Sequence, residues 1–167
     1  KVLAISGAST LPALSTAVID DLIGRFENLE EIQVAIAPGQ RAPRGIATMA
    51  GVLSYAGRPF GWLSDGKWTE AWGWQDLRRL KFAGLGTRWA AACNVPDLIL
   101  LPVRYPNVKT VQFRAALELG VQHFALWCVA ALRRAGLPLP LERWARFLNR
   151  AASVLDVFGS DQGGMLA

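Results

Sequence analysis

One histidine, two cysteines and a few closely spaced arginines are the side chains of this 167-residue chain best suited to chemistry. His123 belongs to the residue type that titrates near neutral pH, so it could serve as a general acid or base. It sits in the apolar run Leu119–Leu132, where a histidine of the core or of an interface is the plainer reading. Any nucleophilic triad or Cys/His pair would have to draw on this same ring, so spacing supports none and no catalytic residue is assigned. Cys93 and Cys128 lie far apart in apolar surroundings, and neither has a CxxC partner. A structural zinc site needs four nitrogen or sulfur ligands, so no metal is expected. Buried free thiols in a reducing cytoplasm are the expectation instead.

Two segments suggest binding rather than catalysis. The turn Gly7-Ala8-Ser9-Thr10-Leu11-Pro12 joins the apolar run Val2–Ser6, read as a strand, to a helix expected from about Leu11 to Phe26. Free amides at a helix start favour an anion or the polar edge of a cofactor, and such a turn is also the ordinary corner of a βα unit. It is not a dinucleotide fingerprint, because GxGxxG is absent and no acidic residue follows about twenty positions on. The second segment, Pro38–Gly45, places Arg41 and Arg44 in a Gly/Pro-rich loop between a strand and a helix start. Guanidinium forks suit carboxylates or phosphates, and pairing with the chain's own acids or with solvent stands equally beside that. Trp62, Trp68, Trp72 and Trp74, with Trp89, gather around one hairpin, either to line an apolar pocket or to cap a sheet.

The elements that must hold these residues follow from composition and period. Hydrophobic residues make up 52% and charged residues 19%, which excludes a disordered chain. Net charge is +5, yet the arginines are scattered, so no nucleic-acid partner is expected. The oiliest helix, Leu119–Leu132, is shorter than the roughly 20 residues that span a bilayer, so no membrane partner is expected either. Leu14, Val18, Leu22 and Phe26 recur at helical spacing, and Ile32–Ala37 reads as a buried strand. A helix opening at Pro43 should end at Gly57, and Asp65-Gly66 should turn a hairpin between Pro59–Leu63 and Trp68–Trp72. Arg79–Phe82, Trp89–Cys93 and Val108–Leu117 read as strands, and Val95-Pro96-Asp97 starts a short helix or turn near Leu98–Leu101. Helices at about Glu118–Ala135 and Leu139–Phe158 follow, and Gly163–Ala167 looks like the opening of another strand. Four to six strands and four helices in this order indicate an α+β fold, a mixed β-sheet flanked by helices. Both ends fall in strand-like segments, so the chain reads as an excised domain.

The order of the segments resembles a known family. The Gly7–Ser15 turn, then IQVAIAPGQRAPRG at 32–45, LSYAGRPF at 53–60, GLGTRWAAACNVPDLILLPVRYP at 84–106 and VQFRAALELGVQHFALW at 111–127 are similar to the saccharopine dehydrogenase-like family, in its bacterial branch. The resemblance covers essentially the whole chain. It implies a parent with an N-terminal Rossmann domain binding NAD or NADP, followed by a substrate-binding domain that often forms a homodimer. On that likeness residues 1–27 are a remnant of the Rossmann region and residues 28–167 the substrate-binding and dimerisation domain. Gly7, Ser9, Thr10 and Pro12 would approach the cofactor; the family's acidic residue before a Pro-Gly pair is replaced here by Thr10-Leu11-Pro12-Ala13. Arg41 and Arg44 would hold an acidic group of a small-molecule substrate, with Trp89, Asp97 and His123 as further candidates. The Gly-rich phosphate segment is missing, so no cofactor and no catalysis are expected of this chain alone. A non-catalytic binding or scaffold domain that keeps the fold is the alternative.

Overall fold

The computed structural model describes residues 10–43 and 45–167. The expected strand Val2–Ser6 and the candidate residues Gly7, Ser9 and Arg44 lie outside the described residues. The architecture is α+β, with seven strands in a mixed sheet and five flanking α-helices among the described residues. Strands β1 (Glu31–Ala37), β2 (Pro59–Ser64), β3 (Lys67–Trp72), β4 (Arg78–Phe82), β5 (Gly86–Ala92), β6 (Thr110–Ala115) and β7 (Gly164–Leu166) alternate with α1 (Ser15–Ile23), α2 (Ile46–Tyr55), α3 (Asp97–Arg104), α4 (Gly120–Arg134) and α5 (Ala145–Val154).

The spatial order is β3-β2-β6-β1-β7, and the β4–β5 hairpin joins β6 through Ala91 and Ala92. β1 and β6 run parallel with Val34 opposite Phe113, whereas β7 runs antiparallel to β1. These two central strands are rich in apolar residues because they are covered on both faces. Ile32, Val34, Val111 and Phe113 enter the main core with Leu53, Leu98, Leu101, Ala130 and Ala145, one or more from each of α2 to α5, and with Ile19 of α1. Ala35 and Ala37 join Phe82, Ala90 and Ala116 in a smaller cluster, where alanines leave room for the ring. Asp65 (φ 50°) and Gly66 (φ 75°) both take the left-handed conformation that a two-residue hairpin turn demands.

Four helices differ from the expected boundaries, and α2 opens at Ile46 instead of Pro43. The residue before a proline is pushed out of the helical region, and Leu11 is accordingly extended (φ −125°, ψ 127°) ahead of Pro12. The first helix therefore starts at Ser15, its buried residues are Ser15 and Ile19, and Leu14 and Phe26 are exposed. The fourth helix starts at Gly120 because Glu118 is drawn elsewhere. Past Pro138 and Pro140 the last helical stretch breaks into a tight turn Leu141–Trp144, α5 and a second tight turn Leu155–Phe158. Of the two thiols expected to be buried, Cys93 is buried but Cys128 lies exposed on α4.

Glu118 fastens three distant stretches of chain. Its Oε2 accepts the backbone N–H of Gln40 at 2.6 Å and of Ser160 at 2.9 Å, and Oε1 accepts the Ser160 hydroxyl at 2.7 Å. Arg88 approaches at 3.8 Å. Burial alone would raise the carboxyl's pKa, but these donors outweigh it and hold the pKa below the usual value.

Two glycines of α2 and its end give opposite expectations. Gly57 has φ +70°, and a Cβ there would collide with the Ala130 carbonyl of α4. Gly57→Ala should cost about 2–4 kcal/mol in urea unfolding. Gly51 lies inside α2 with open space around it, so Gly51→Ala should stabilise by about 0.5–1 kcal/mol.

Candidate functional site

The segment Trp72–Arg78, between β3 and β4, forms one wall of a groove of about 500 Å³. Its backbone is pinned to β5: Trp74 N–H donates to Ala92 O at 2.8 Å, and Ala92 N–H donates to Gln75 O at 2.9 Å. The buried Gln75 side chain closes the turn by donating to the carbonyls of Trp74 (3.0 Å) and Trp127 (3.2 Å). Trp74 (φ 58°) and Asp76 (φ 51°) both sit in the left-handed region, which non-glycine residues occupy only when their surroundings impose it. The turn sends Trp74 into the core and Asp76 towards the groove, where it bonds Arg114 of β6.

Arg114 is only 3% exposed. Asp76 binds one end of its guanidinium, Gln112 Oε1 accepts from Nη1 at 3.0 Å, and the Trp62 ring lies 5.1 Å from the guanidinium carbon. Arg78 adds a looser approach to Asp76 at 3.9 Å. Across the groove the Arg134 guanidinium stacks 4.8 Å from the Trp72 ring, and no ion pair holds it among the described residues. Glu70 and Ser64 complete the polar lining. Arg134 and Arg78, which line the groove with the indoles of Trp62 and Trp72, can receive an anionic or polar planar group, since guanidinium offers fixed donor forks and indole an apolar face. A second hollow, of about 450 Å³ between Val129 and Phe147, is apolar throughout and offers no converging polar groups.

Trp62 and Trp72 of the hairpin line this groove, whereas the residues singled out through the resemblance fall into three other places. His123 is fully buried in α4. Its ring meets Trp74 at 5.3 Å and Phe124 at 5.9 Å, and Phe124 meets Trp89 at 5.8 Å. His123 and Trp89 are thus joined by a ladder of rings, with Arg79 stacked 5.8 Å above the exposed end. His123 Nδ1 accepts the Leu117 N–H at 3.4 Å, so the proton of the neutral ring is on Nε2. Neither that Nε2 nor Trp74 Nε1 has a partner among the described residues. Tyr55 and the Cys93 thiol lie against each other nearby; burial holds the tyrosine's pKa above its usual value and pushes the thiol up to about 12.

Asp97 and Pro12 come together at the start of α3. Ser15 Oγ bonds Asp97 Oδ1 and lies 3.0 Å from the Pro12 carbonyl; Thr16 Oγ1 donates to the same carbonyl at 2.7 Å. Thr10 opens this irregular turn. Burial raises the Asp97 pKa more than the serine bond lowers it. Asp97 Oδ2 has no partner among the described residues, so the Ser15 hydroxyl is the contact that holds this buried carboxyl. Arg41 stands apart: its Nε donates to the Asp156 carbonyl at 3.1 Å and its backbone N–H to Ser160 O at 3.0 Å, so it is partly engaged in holding the C-terminal segment.

The groove residues were visible in the sequence only as scattered arginines and a tryptophan-rich hairpin. Among the described residues no cluster of three or more His, Cys, Asp or Glu converges to hold a metal ion, and no helix is long and apolar enough to cross a membrane. No protein-family model matches the chain, and no curated protein matches it.

Burial lowers the His123 pKa from 6.5 to about 4. The unfolded state then binds more protons between these values, so stability is full above pH 6.5 and falls as pH drops towards 4. The loss should reach about 1.4 kcal/mol per pH unit in urea titrations, and His123→Gln should flatten the profile across that window. Asp97→Asn should raise Tm at pH 7, because the folded state disfavours the ionised acid; a lowered Tm would mean the charge itself is needed.

Proposed function

We propose that this chain is the substrate-binding and dimerisation domain of a saccharopine dehydrogenase-like, NAD(P)-dependent oxidoreductase, and that it holds an acidic small molecule in the Trp62–Trp72 groove. The observation that carries the groove assignment is Arg134, stacked on Trp72 at the groove and free of any ion pair among the described residues. Arg114 supports the opposite wall from beneath, its charge already balanced by Asp76, and Arg78 leans on the same carboxylate at 3.9 Å, so Arg134 is the groove cation with no ion pair among the described residues. The mixed sheet flanked by helices agrees with the domain type that the resemblance implies. On this reading hydride transfer belongs to NAD or NADP held by a Rossmann domain of the parent, while this domain orients substrate. A cytoplasmic setting accords with two free cysteines.

The alternative, a binding or scaffold domain that keeps the fold without the chemistry, draws on a different observation. The sole histidine is sealed between Trp74 and Phe124, away from the groove.

Titration with glutarate, read by tryptophan fluorescence, tests the groove. Saturable quenching is expected, with Arg134→Ala weakening binding at least tenfold, which is about 1.4 kcal/mol, and Arg41→Ala leaving it unchanged. Equal losses in both variants, or no saturable signal, would remove the groove assignment. NADPH and NADH titrations of the parent protein, with this chain as control, separate the two readings: binding by the parent favours the oxidoreductase, and its absence favours the scaffold.

A further inference from the structure

We propose that the outer ridge of α5 is a docking surface for an anionic lipid bilayer, on which the helix lies flat with its arginines at the level of the headgroups. Trp144, Phe147, Ala151, Val154 and Phe158 recur at spacings of three, four, three and four, from the tight turn before α5 to the one after it. Side chains at such spacings share one face of a helix. All five are exposed, Phe147 at 70%, Val154 at 74% and Phe158 at 75%. The opposite face, with buried Ala145 and half-buried Leu148, packs into the core and against α2. The helix is therefore apolar on two sides, and only one of them is covered among the described residues.

Charge identifies what covers the second side. Arg143, Arg146 and Arg150 each stand one residue before a member of the ridge, which on a helix sets them about 100° round from it as a parallel basic band. All three are exposed, and none makes an ion pair among the described residues. Residues 119–160 hold five arginines and two acids, and both acids are engaged away from this band. Glu142 meets Arg133 at 2.9 Å and Arg58 at 3.1 Å, and Asp156 accepts from the Gln40 side chain at 2.9 Å. The complement of such a face is apolar matter edged with negative charge. An anionic bilayer has that composition, with acyl chains beneath a plane of phosphates and carboxylates. A second copy of the chain does not, because a two-fold contact would set one arginine band against the other.

A second observation favours lipid over an acidic protein. Trp144 and Phe147 of the ridge also wall the apolar hollow of about 450 Å³ beside it, together with Val129, Leu141 and Leu148. A hollow without converging polar groups suits the end of an acyl chain. A protein partner must supply a recess shaped to the projecting rings, whereas fluid chains admit them in any order. Arginine stems lie along an apolar boundary while their heads reach the headgroups, and tryptophan settles at the same level. No helix among the described residues is long and apolar enough to cross a membrane, but a helix in the surface plane needs no such length.

This surface is independent of the groove and of the function proposed above. Flotation of the intact chain with phosphatidylcholine vesicles, with and without about one third phosphatidylserine, tests it. The anionic vesicles should bind the chain and the neutral ones at least about tenfold more weakly, and raising salt from about 0.05 to 0.5 M should release it. Arg146→Gln combined with Arg150→Gln should weaken binding about tenfold or more. Phe147→Asp and Val154→Asp should each abolish it with Tm unchanged, the pair guarding against one variant that misfolds. Brominated acyl chains should quench tryptophan emission, and Trp144→Phe should remove most of that quenching, whereas Trp68→Phe should not. Absence of binding to anionic vesicles would leave an acidic protein as the occupant and overturn the assignment. Equal binding to neutral vesicles, or binding that survives both aspartate variants, would overturn it too. So would a parent protein that fails to bind where this chain does, because the rest of the parent then covers the ridge. Glutarate titration of Phe147→Asp reports the groove separately, so the two readings fail on different signals.

Discussion

A guanidinium buried in the central strand is the constraint around which this structure is arranged. Removing an arginine's charge from water is costly unless acceptors and a counter-charge replace the lost hydration. Arg114 meets most of that requirement with Asp76, Gln112 and the face of Trp62, its Nε alone having no partner among the described residues. Asp76 reaches it only because the chain from Trp74 to Asp76 takes two left-handed residues in three. That conformation is held in turn by the hydrogen bonds to β5 and by Gln75. The ion pair, the strained turn and the hairpin edge are therefore one unit, and none of the three keeps its geometry without the others.

The same turn couples the groove to the interior. Asp76 faces the groove wall while Trp74, two residues earlier, is the largest fully buried side chain and touches His123. From there the ladder of rings runs through Phe124 to Trp89 at the surface. A ligand that shifts Asp76 acts on a residue two peptide bonds from the packed rings. The site thus rests on strands and a pinned turn, with Arg134 and Arg78 as its exposed members.

Local chemistry made much of the fold legible in the sequence. Asp65-Gly66 announces its turn because few pairs tolerate two positive φ values in succession, and Gly57 ends α2 for the same reason. The apolar runs of β1 and β6 declare strands covered on both faces. What depends on distant partners was not legible. Leu14 and Phe26 share a helical period with Val18 and Leu22, yet nothing local says that Ser15 and Ile19 face the core instead. Cys128 sits among apolar neighbours in sequence and at the surface in space. The groove draws on Trp62, Asp76, Arg114 and Arg134, each unremarkable in its own stretch, and strand pairing alone brings them together. A tryptophan in the left-handed region has no sequence signal, because the strain is imposed from outside the segment.

The margins of the sheet carry a further consequence. Among the described residues its outer strands are β7, which is three residues long, β3, which bears Lys67 and Glu70, and β4, which bears Arg78, Arg79 and Lys81. Short strands and charged side chains are how natural sheets discourage a further strand from adding on. This sheet has little tendency to grow into an aggregate through its backbone, despite a chain that is 52% hydrophobic. Its surplus apolar surface is carried by helices, which have no unpaired ladder for another chain to extend. Association with other molecules is thereby steered towards finite assemblies and away from fibres.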